Sequence, residues 1–495
     1  MTSGIDFARL PELAGERVGG AVAYANDEFF AEKENLIRSG DPVWREHHYT
    51  DRGKWMDGWE TRRRRDPGHD FCILRLGLRG VVRGVVVDTR FFRGNYPESC
   101  SIEACSAPAD RSVADLLSDQ TVWESLLPSS PLSGDSENRF EVQSSLAVTH
   151  LLLRIVPDGG VARLRVHGDV VPDWSRVGGL GNEIDLAAIE SGGRVVSCSD
   201  MFFGSPQNMI MPGRARNMSD GWETRRRRGP GHDWAILRLA TEGSVARIEI
   251  DTNHFKGNYP DRASIEGCTT ARIDPPADAA WREIFPETGL QPHTRHFFNL
   301  LAPGPLTHLR LTIFPDGGVS RLRVHGRATE PGRRSAVVSH LDTLGRLQLE
   351  RELRSCCASA RWVERMSESR PFVTWNRLVE IAAATWSSLD RSDWIEAFAA
   401  HPRIGETRDG ARWSSQEQSG TRGASQHTLD ALERGNREYE QRFGHLFLVC
   451  ATGRDADHIV EILSRRMLND PDTELRVAAE EQRKITELRL EKLVL

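Results

Sequence analysis

Two sets of side chains in this 495-residue sequence have the types and spacing to handle a small polar anion. The run ETRRRR occurs twice, as Glu60–Arg65 and Glu223–Arg228. Guanidinium forks grip carboxylates and planar ureido or carbonyl groups through paired hydrogen bonds, which makes Arg62, Arg225 and Arg226 candidate substrate ligands. Glu60 and Glu223 put a carboxylate at the head of each run. His69-Asp70 and His232-Asp233 follow, each a titratable base beside a carboxylate that could activate water or hold a metal. Asp88 and Asn95 in DTRFFRGNYP answer Asp251 and Asn258 in DTNHFKGNYP, and GNYP itself reads as a turn. The competing structural role for the arginines is ion pairing with Glu103 and Glu266.

The second set lies toward the C-terminus. In AHPRIG (400–405), His401 stands before proline at the end of a helical pattern, where backbone hydrogen bonding stops and an imidazole can face a cavity. In WSSQEQSG (413–420), Glu417 could tune that histidine and Gln418 could bind a polar heterocycle. Arg489 sits four residues after Ile485, near the apolar stripe of the last helix.

The elements that must carry these residues follow from an internal repeat. Residues 57–76 match 220–239 at 17 of 20 positions, and 155–168 match 313–326 at 12 of 14. A period near 160 residues is a duplicated domain, not a solenoid. VARLRVHG and VSRLRVHG alternate, Leu164 and Val166 (Leu322 and Val324) against the arginines and His167 (His325). With PDGG turns and short β-branched runs such as 84–89 and 246–252, each copy is predicted to be an all-β jelly-roll sandwich. After the Pro/Gly/Arg-rich stretch 329–335, taken as a linker, helical spacing takes over. Asp470 as a cap, Pro471 in the first turn, then Leu475, Ala478, Ile485 and Leu488 predict a long final helix. The predicted domains are 1–173, 174–332 and an all-α 333–495.

Composition narrows the function classes. Net charge is −6, so no basic excess advertises nucleic acid, and no apolar run is long enough to span a membrane. The N-terminus lacks a secretory h-region, and the eight cysteines show neither disulfide-framework nor zinc spacing. A cytoplasmic enzyme with small-molecule substrates is expected, without a cofactor motif and assembling as a homo-oligomer. Metal dependence stays open.

GWETRRRR, DTxxFxGNYP and PDGGVxRLRVHG, each present twice, resemble the allantoicase family over about residues 19–329. The resemblance implies two jelly rolls that hydrolyse allantoate to (S)-ureidoglycolate and urea. The candidate site stays at Glu223, Arg225, Arg226, His232, Asp251 and Asn258, with Glu60, Arg62, His69, Asp88 and Asn95 in the first copy. If one copy alone is active, His254 favours the second. CCASARW, EAFAAHPRIG, WSSQEQSG, FGHLFLVCATGR and KITELRL resemble 2-oxo-4-hydroxy-4-carboxy-5-ureidoimidazoline (OHCU) decarboxylase, which yields (S)-allantoin. That resemblance implies His401 as the catalytic histidine, with Glu417 beside it and Arg489 binding an anion. Pro402, Ser414, Ser415, Gln416 and Gln418, with Val449, Cys450, Ala451, Thr452 and Gly453, become substrate contacts. His445 and Arg454 depart from the usual family pattern. The rival reading is a tandem ligand-binding module with a non-catalytic helical assembly domain.

Overall fold

The computed structural model describes residues 6–174, 176–301, 303–403, 425–451 and 454–495. The chain divides into two compact units, Met1–Arg333 and Arg334–Leu495.

In the first unit, each copy is built on one very long strand. The main strands of the first copy are β1 (Ala21–Ala25), β2 (Asp70–Asp88), β3 (Ser99–Cys105), β4 (Glu124–Pro131), β5 (Glu137–Glu141), β6 (Ala147–Val156) and β7 (Arg163–Val170). One sheet runs β1-β2-β6-β3-β4. The second half of β2 pairs instead with β5 and β7, so a single strand serves both layers. This corrects the expectation of a short strand at 84–89. The changeover falls between Arg75 and Gly80, where the register shifts. There the backbones close in: a Cβ on Gly77 or Gly80 would lie 2.4 Å from the Val18 carbonyl oxygen or 2.6 Å from that of Asp169.

The second copy repeats this plan with β8 (Arg194–Cys198), β9 (Asp233–Asp251), β10 (Arg262–Cys268), β11 (Arg282–Gly289), β12 (Arg295–Asn299), β13 (Pro305–Phe314) and β14 (Arg321–Ala328). Leu164, Val166, Leu322 and Val324 are fully buried, as the alternation predicts. The opposite face is partly covered too. Arg163 is buried with its Nη2 2.8 Å from Asp57 Oδ2, and Arg321 is buried against the Asp220 carbonyl at 2.7 Å.

One helical turn, α1 (Val113–Leu116), interrupts the first copy. The second unit is helical: α2 (Glu330–Thr343), α3 (Arg346–Cys356), α4 (Ala360–Glu368), α5 (Trp375–Ser387), α6 (Arg391–Ala399), α7 (Gln426–Phe443), α8 (Ala456–Arg466) and α9 (Pro471–Glu491). Residues 330–335 are therefore helix rather than linker, with Pro331 in the first turn, where its missing N–H is not needed. At the other end, the Asp470 carboxylate accepts from the Asp472 and Thr473 amides and starts α9. Leu475, Ala478 and Ile485 are buried as predicted, but Leu490 takes the place expected for Leu488.

A buried polar knot ties α7, α8 and α9 together. The carboxylate of Glu474, without solvent exposure, accepts from Tyr439 Oη, from Arg466 Nε at 2.7 Å and from Asn469 Nδ2 at 2.7 Å. Breaking a buried pair strands a charge, a loss of about 3–5 kcal/mol. Arg466→Ala should therefore lower the unfolding free energy of the helical unit by that order, read by denaturant titration. A shift under about 1 kcal/mol would show that Tyr439 and Asn469 suffice for Glu474.

Candidate functional site

Three sequence blocks far apart in each copy meet around one carboxylate. In the first, Glu60 pairs across a short ladder with Gly160 of the PDGG turn, and its Oε1 accepts from Asn95 Nδ2 at 2.6 Å. Asn95 closes the ring, its carbonyl accepting from Gly160 N at 2.7 Å. In the second, Glu223 pairs with Gly318, Asn258 Nδ2 donates to Glu223 Oε1 at 2.5 Å, and Gly318 N donates to the Asn258 carbonyl at 2.8 Å. The preceding glycine is obligatory. Gly159 and Gly317 have φ +136° and +134°, and a Cβ there would meet the Asn95 or Asn258 carbonyl at 2.7 or 2.8 Å. Burial pushes the Glu60 carboxyl above its ordinary range, with the Asn95 amide opposing.

The arginine run is split by its position. The third arginine is structural: Arg64 Nη1 lies 2.8 Å from Asp70 and Arg227 Nη2 2.6 Å from Asp233, both aspartates being buried. Their backbone amides donate to Asp158 and Asp316 of the PDGG turns. The first arginine leans on the strand-edge loop, with Arg62 Nε 2.7 Å from Asp27 and Arg225 Nε 3.8 Å from Asp200. Arg225 also lies over the Phe202 ring at 4.1 Å, and Arg62 over Phe29 at 5.3 Å. Arg226 is exposed and, among the described residues, makes no ion pair. The expected structural partners are engaged elsewhere: Glu103 holds Arg154, and Glu266 holds Arg310.

Other expected members of the site do not join it. Neighbouring residues at the start of β2 and β9 point to opposite sides, so His69 and His232 are exposed while Asp70 and Asp233 are buried on arginines. The supposed His-Asp pairs are thus not pairs, and His232 lies against Phe314 rather than on Glu223. Asp88 is held by Arg90 Nε and Nη2 at 2.9 and 2.7 Å and lines a cleft of about 1060 Å³ between the copies, to which Arg225 also contributes. Asp251 is buried and accepts from Asn253 N, and burial raises its pKa. Among the described residues, His254 does not touch Glu223 or Asn258, and one of its ring nitrogens is taken up by backbone. Its ring faces the Ala215 carbonyl at 3.0 Å, and its left-handed backbone matches that of Phe91 in the first copy.

One component escaped the sequence reading. Asp27, Phe29 and Phe30 match Asp200, Phe202 and Phe203, with each phenylalanine pair in edge contact. The shared D-x-F-F was the signal. It is offset by 173 residues (27 to 200) rather than 163 (57 to 220), because the first copy carries an inserted hairpin, Tyr49–Thr50 with Gly53–Lys54.

In the helical unit, α6 ends at Ala399 and His401 N donates to the Phe398 carbonyl at 3.1 Å, which leaves the ring beyond the helix end, as expected. His401 and Pro402 are buried. Arg489, in the last turn of α9, approaches His401 Nδ1 at 3.4 Å. A guanidinium only donates, so a hydrogen bond at this contact has Nδ1 as its acceptor. Val449 and Ala451 are buried and Cys450 is half-buried. Cys450 N donates to Glu481 Oε2 at 2.7 Å, so this amide is not a donor to substrate as expected. Ser414, Ser415, Gln416, Glu417, Gln418, Thr452 and Gly453 lie outside the described residues. Among the described residues, no cluster of His, Cys, Asp or Glu could hold a metal, and no helix is long and apolar enough to cross a membrane.

The allantoicase-repeat model matches residues 11–171 and again 184–329. The chain belongs to the allantoicase family. Its C-terminal part, residues 342–491, matches the OHCU decarboxylase family, so a hydrolase and a lyase of purine catabolism are joined in one chain. A probable allantoicase of Photobacterium profundum is 44% identical over 337 residues, covering 67% of this chain and all of the relative. The Dictyostelium discoideum allantoicase is 49% identical over 63% of this chain and 86% of its own. The crystal structure of Saccharomyces cerevisiae allantoicase is 34% identical, with a TM-score of 0.55 over 64% of this chain and 92% of that one. Each copy of the allantoicase repeat therefore carries its own Glu–Asn–PDGG constellation.

Proposed function

We propose that the allantoicase part releases urea from allantoate at the Glu–Asn constellation of both copies. The observation that carries this is the rebuilding, in each copy, of one arrangement from three separate blocks: Glu60–Asn95 and Glu223–Asn258. Allantoate is a carboxylate with two ureido arms on one carbon. Asn Nδ2 holds one glutamate oxygen, and in this reading the other takes a proton from water. The resulting hydroxyl adds to the central carbon as its bond to a ureido nitrogen breaks, and that nitrogen leaves with a proton as urea. Arg226 and Arg63, exposed beside the constellation, receive the substrate carboxylate, while Arg62 and Arg225 flank it on the aromatic pair.

This division of labour along the run has a direct test. Arg226→Gln should leave the melting midpoint unchanged and raise KM for allantoate about tenfold or more. Arg227→Gln should destabilise by about 1–3 kcal/mol, because buried Asp233 loses its charged partner and keeps only Ser199 Oγ. A variant of Arg226 with unaltered KM would remove it from the substrate. A tandem binding module would bind allantoate with measurable heat yet release no urea.

The helical part decarboxylates OHCU at His401. In this reading Arg489 turns onto the substrate's anionic group, and Nδ1, released from it, takes the hydroxyl proton. Loss of CO₂ leaves an enolate-like charge that the substrate's own carbonyl accepts, and the Val449 and Ala451 amides stabilise the oxygen. No cofactor is called for. We further propose that both reactions run in the cytoplasm, on a homo-oligomer. They are not consecutive, since allantoin needs a separate ring opening before allantoate exists.

A further inference from the structure

The loop preceding α8 is pinned from one side by two charged groups of different helices. Phe447, Val449 and Ala451 enter one apolar cluster with Leu432, Tyr439, Phe443 and Ile459, which neither Leu448, buried outside it, nor half-buried Cys450 joins. Such alternation marks an extended segment, in which peptide groups two residues apart face the same edge. That edge is occupied. Arg466 Nη1 donates to the Leu448 carbonyl at 2.6 Å, and Cys450 N donates to Glu481 Oε2 at 2.7 Å. Glu481 is itself fixed, its Oε1 lying 2.7 Å from Lys484 Nζ. Burial works against its charge, but Lys484 and the Cys450 amide outweigh this and hold the carboxyl below its usual range.

We propose that Glu481 is a positioning residue of the decarboxylase site: by accepting the Cys450 amide it fixes the rotation of segment 448–451 and turns the Val449 and Ala451 amides to the opposite edge, toward the substrate oxyanion. This rests on the reading that residues 449–453 contact the substrate. Glu481 touches neither substrate nor reacting atoms. Its effect passes through a backbone that would otherwise rotate, and preorganised donors are effective only while their direction is fixed. The same carboxylate explains why Cys450 contributes no donor of its own.

The test uses the full chain and OHCU, with kcat, KM and the handedness of the allantoin product measured together. Glu481→Gln retains an acceptor oxygen for the Cys450 amide and should keep kcat within about threefold. Glu481→Ala should lower kcat by about tenfold or more, against the 10²–10³ attributed to losing an oxyanion donor outright. KM should change less than kcat, and the (S) excess should fall as uncatalysed turnover gains weight. Wild-type kcat in a folded Glu481→Ala variant overturns the proposal. If Glu481→Ala fails to fold, the Gln variant decides: a folded Glu481→Gln with a tenfold loss in kcat shows that charge, not the acceptor, matters, and also overturns it. His401→Asn run alongside separates the two readings. If it stays active, the site assignment has failed; if it is inactive while Glu481→Ala is fully active, this proposal alone has failed.

Discussion

His401→Asn is expected to remove enzymatic OHCU decarboxylation and leave urea release from allantoate intact. Asparagine keeps a polar side chain of similar reach at the end of α6 but cannot exchange a proton near neutral pH. General acid–base groups typically supply about 10²–10⁴ in rate, so the deficit should be at least of that order. Retained substrate binding with lost turnover would mark proton transfer, because Arg489, the proposed ligand of the anion, is unchanged in this variant. Rate alone is insufficient as a readout. A planar, enolate-like intermediate protonated in free solution takes its proton on either face, so background decay gives a racemate. Chirality must be followed with rate. Production of (S)-allantoin near the wild-type rate would reduce His401 to a buried helix-end residue.

Glu60→Gln and Glu223→Gln, made singly and together, should divide urea release between the two copies. Each constellation keeps its Asn partner and its PDGG turn, so each single variant should retain roughly half of wild-type kcat, as its other general base is untouched. The double variant should lose about 10²-fold or more, because a Gln amide retains the hydrogen bond to Asn95 or Asn258 without the ability to take a proton from water. The fold should be unchanged in all three, checked by the melting midpoint. An inactive Glu223→Gln beside a fully active Glu60→Gln would show that the first copy only binds. An active double variant would move the chemistry elsewhere, to the cleft holding Asp88 and Arg225 as the next place to look.

The sequence carried the architecture well where a pattern was local. Alternation in 163–168 and 321–326, the duplicated blocks and the Asp470-Pro471 helix start each depend on neighbouring residues, and each is found in the structure. The long strands were not legible, because the register shift at Arg75–Gly80 breaks the two-residue period in the middle of what is one strand. The same alternation, applied too late, separates His232 from Asp233: sequence neighbours in a strand are spatial opposites. Glu223 and Asn258 were both candidates, but nothing in their spacing of 35 residues showed that they touch; the fold supplies that. Arg489 and His401 are 88 residues apart, and only the family resemblance linked them before the structure brought them together. Asp27 and Phe29 were missed because an insertion moved them out of the repeat's offset.

A strand that serves both layers also makes each copy slow to assemble and easy to confuse. Until β2 is placed, β1, β5 and β7 have no edge to add to, and the first copy must wait for chain as distant as residue 170. Contacts of such long range close late on the folding pathway. During that wait, a near-duplicate competes: residues 70–76 and 233–239 differ at only two positions, Phe71 against Trp234 and Cys72 against Ala235. Either copy's β6 or β13 can therefore meet the wrong partner with nearly native hydrogen bonding, within one chain or between two. Exchange of strands between repeats is the characteristic misfolding route open to such a tandem. Synthesis from the N-terminus works against it, because the first copy can close before the rival strand has left the ribosome, a protection that refolding from denaturant does not provide.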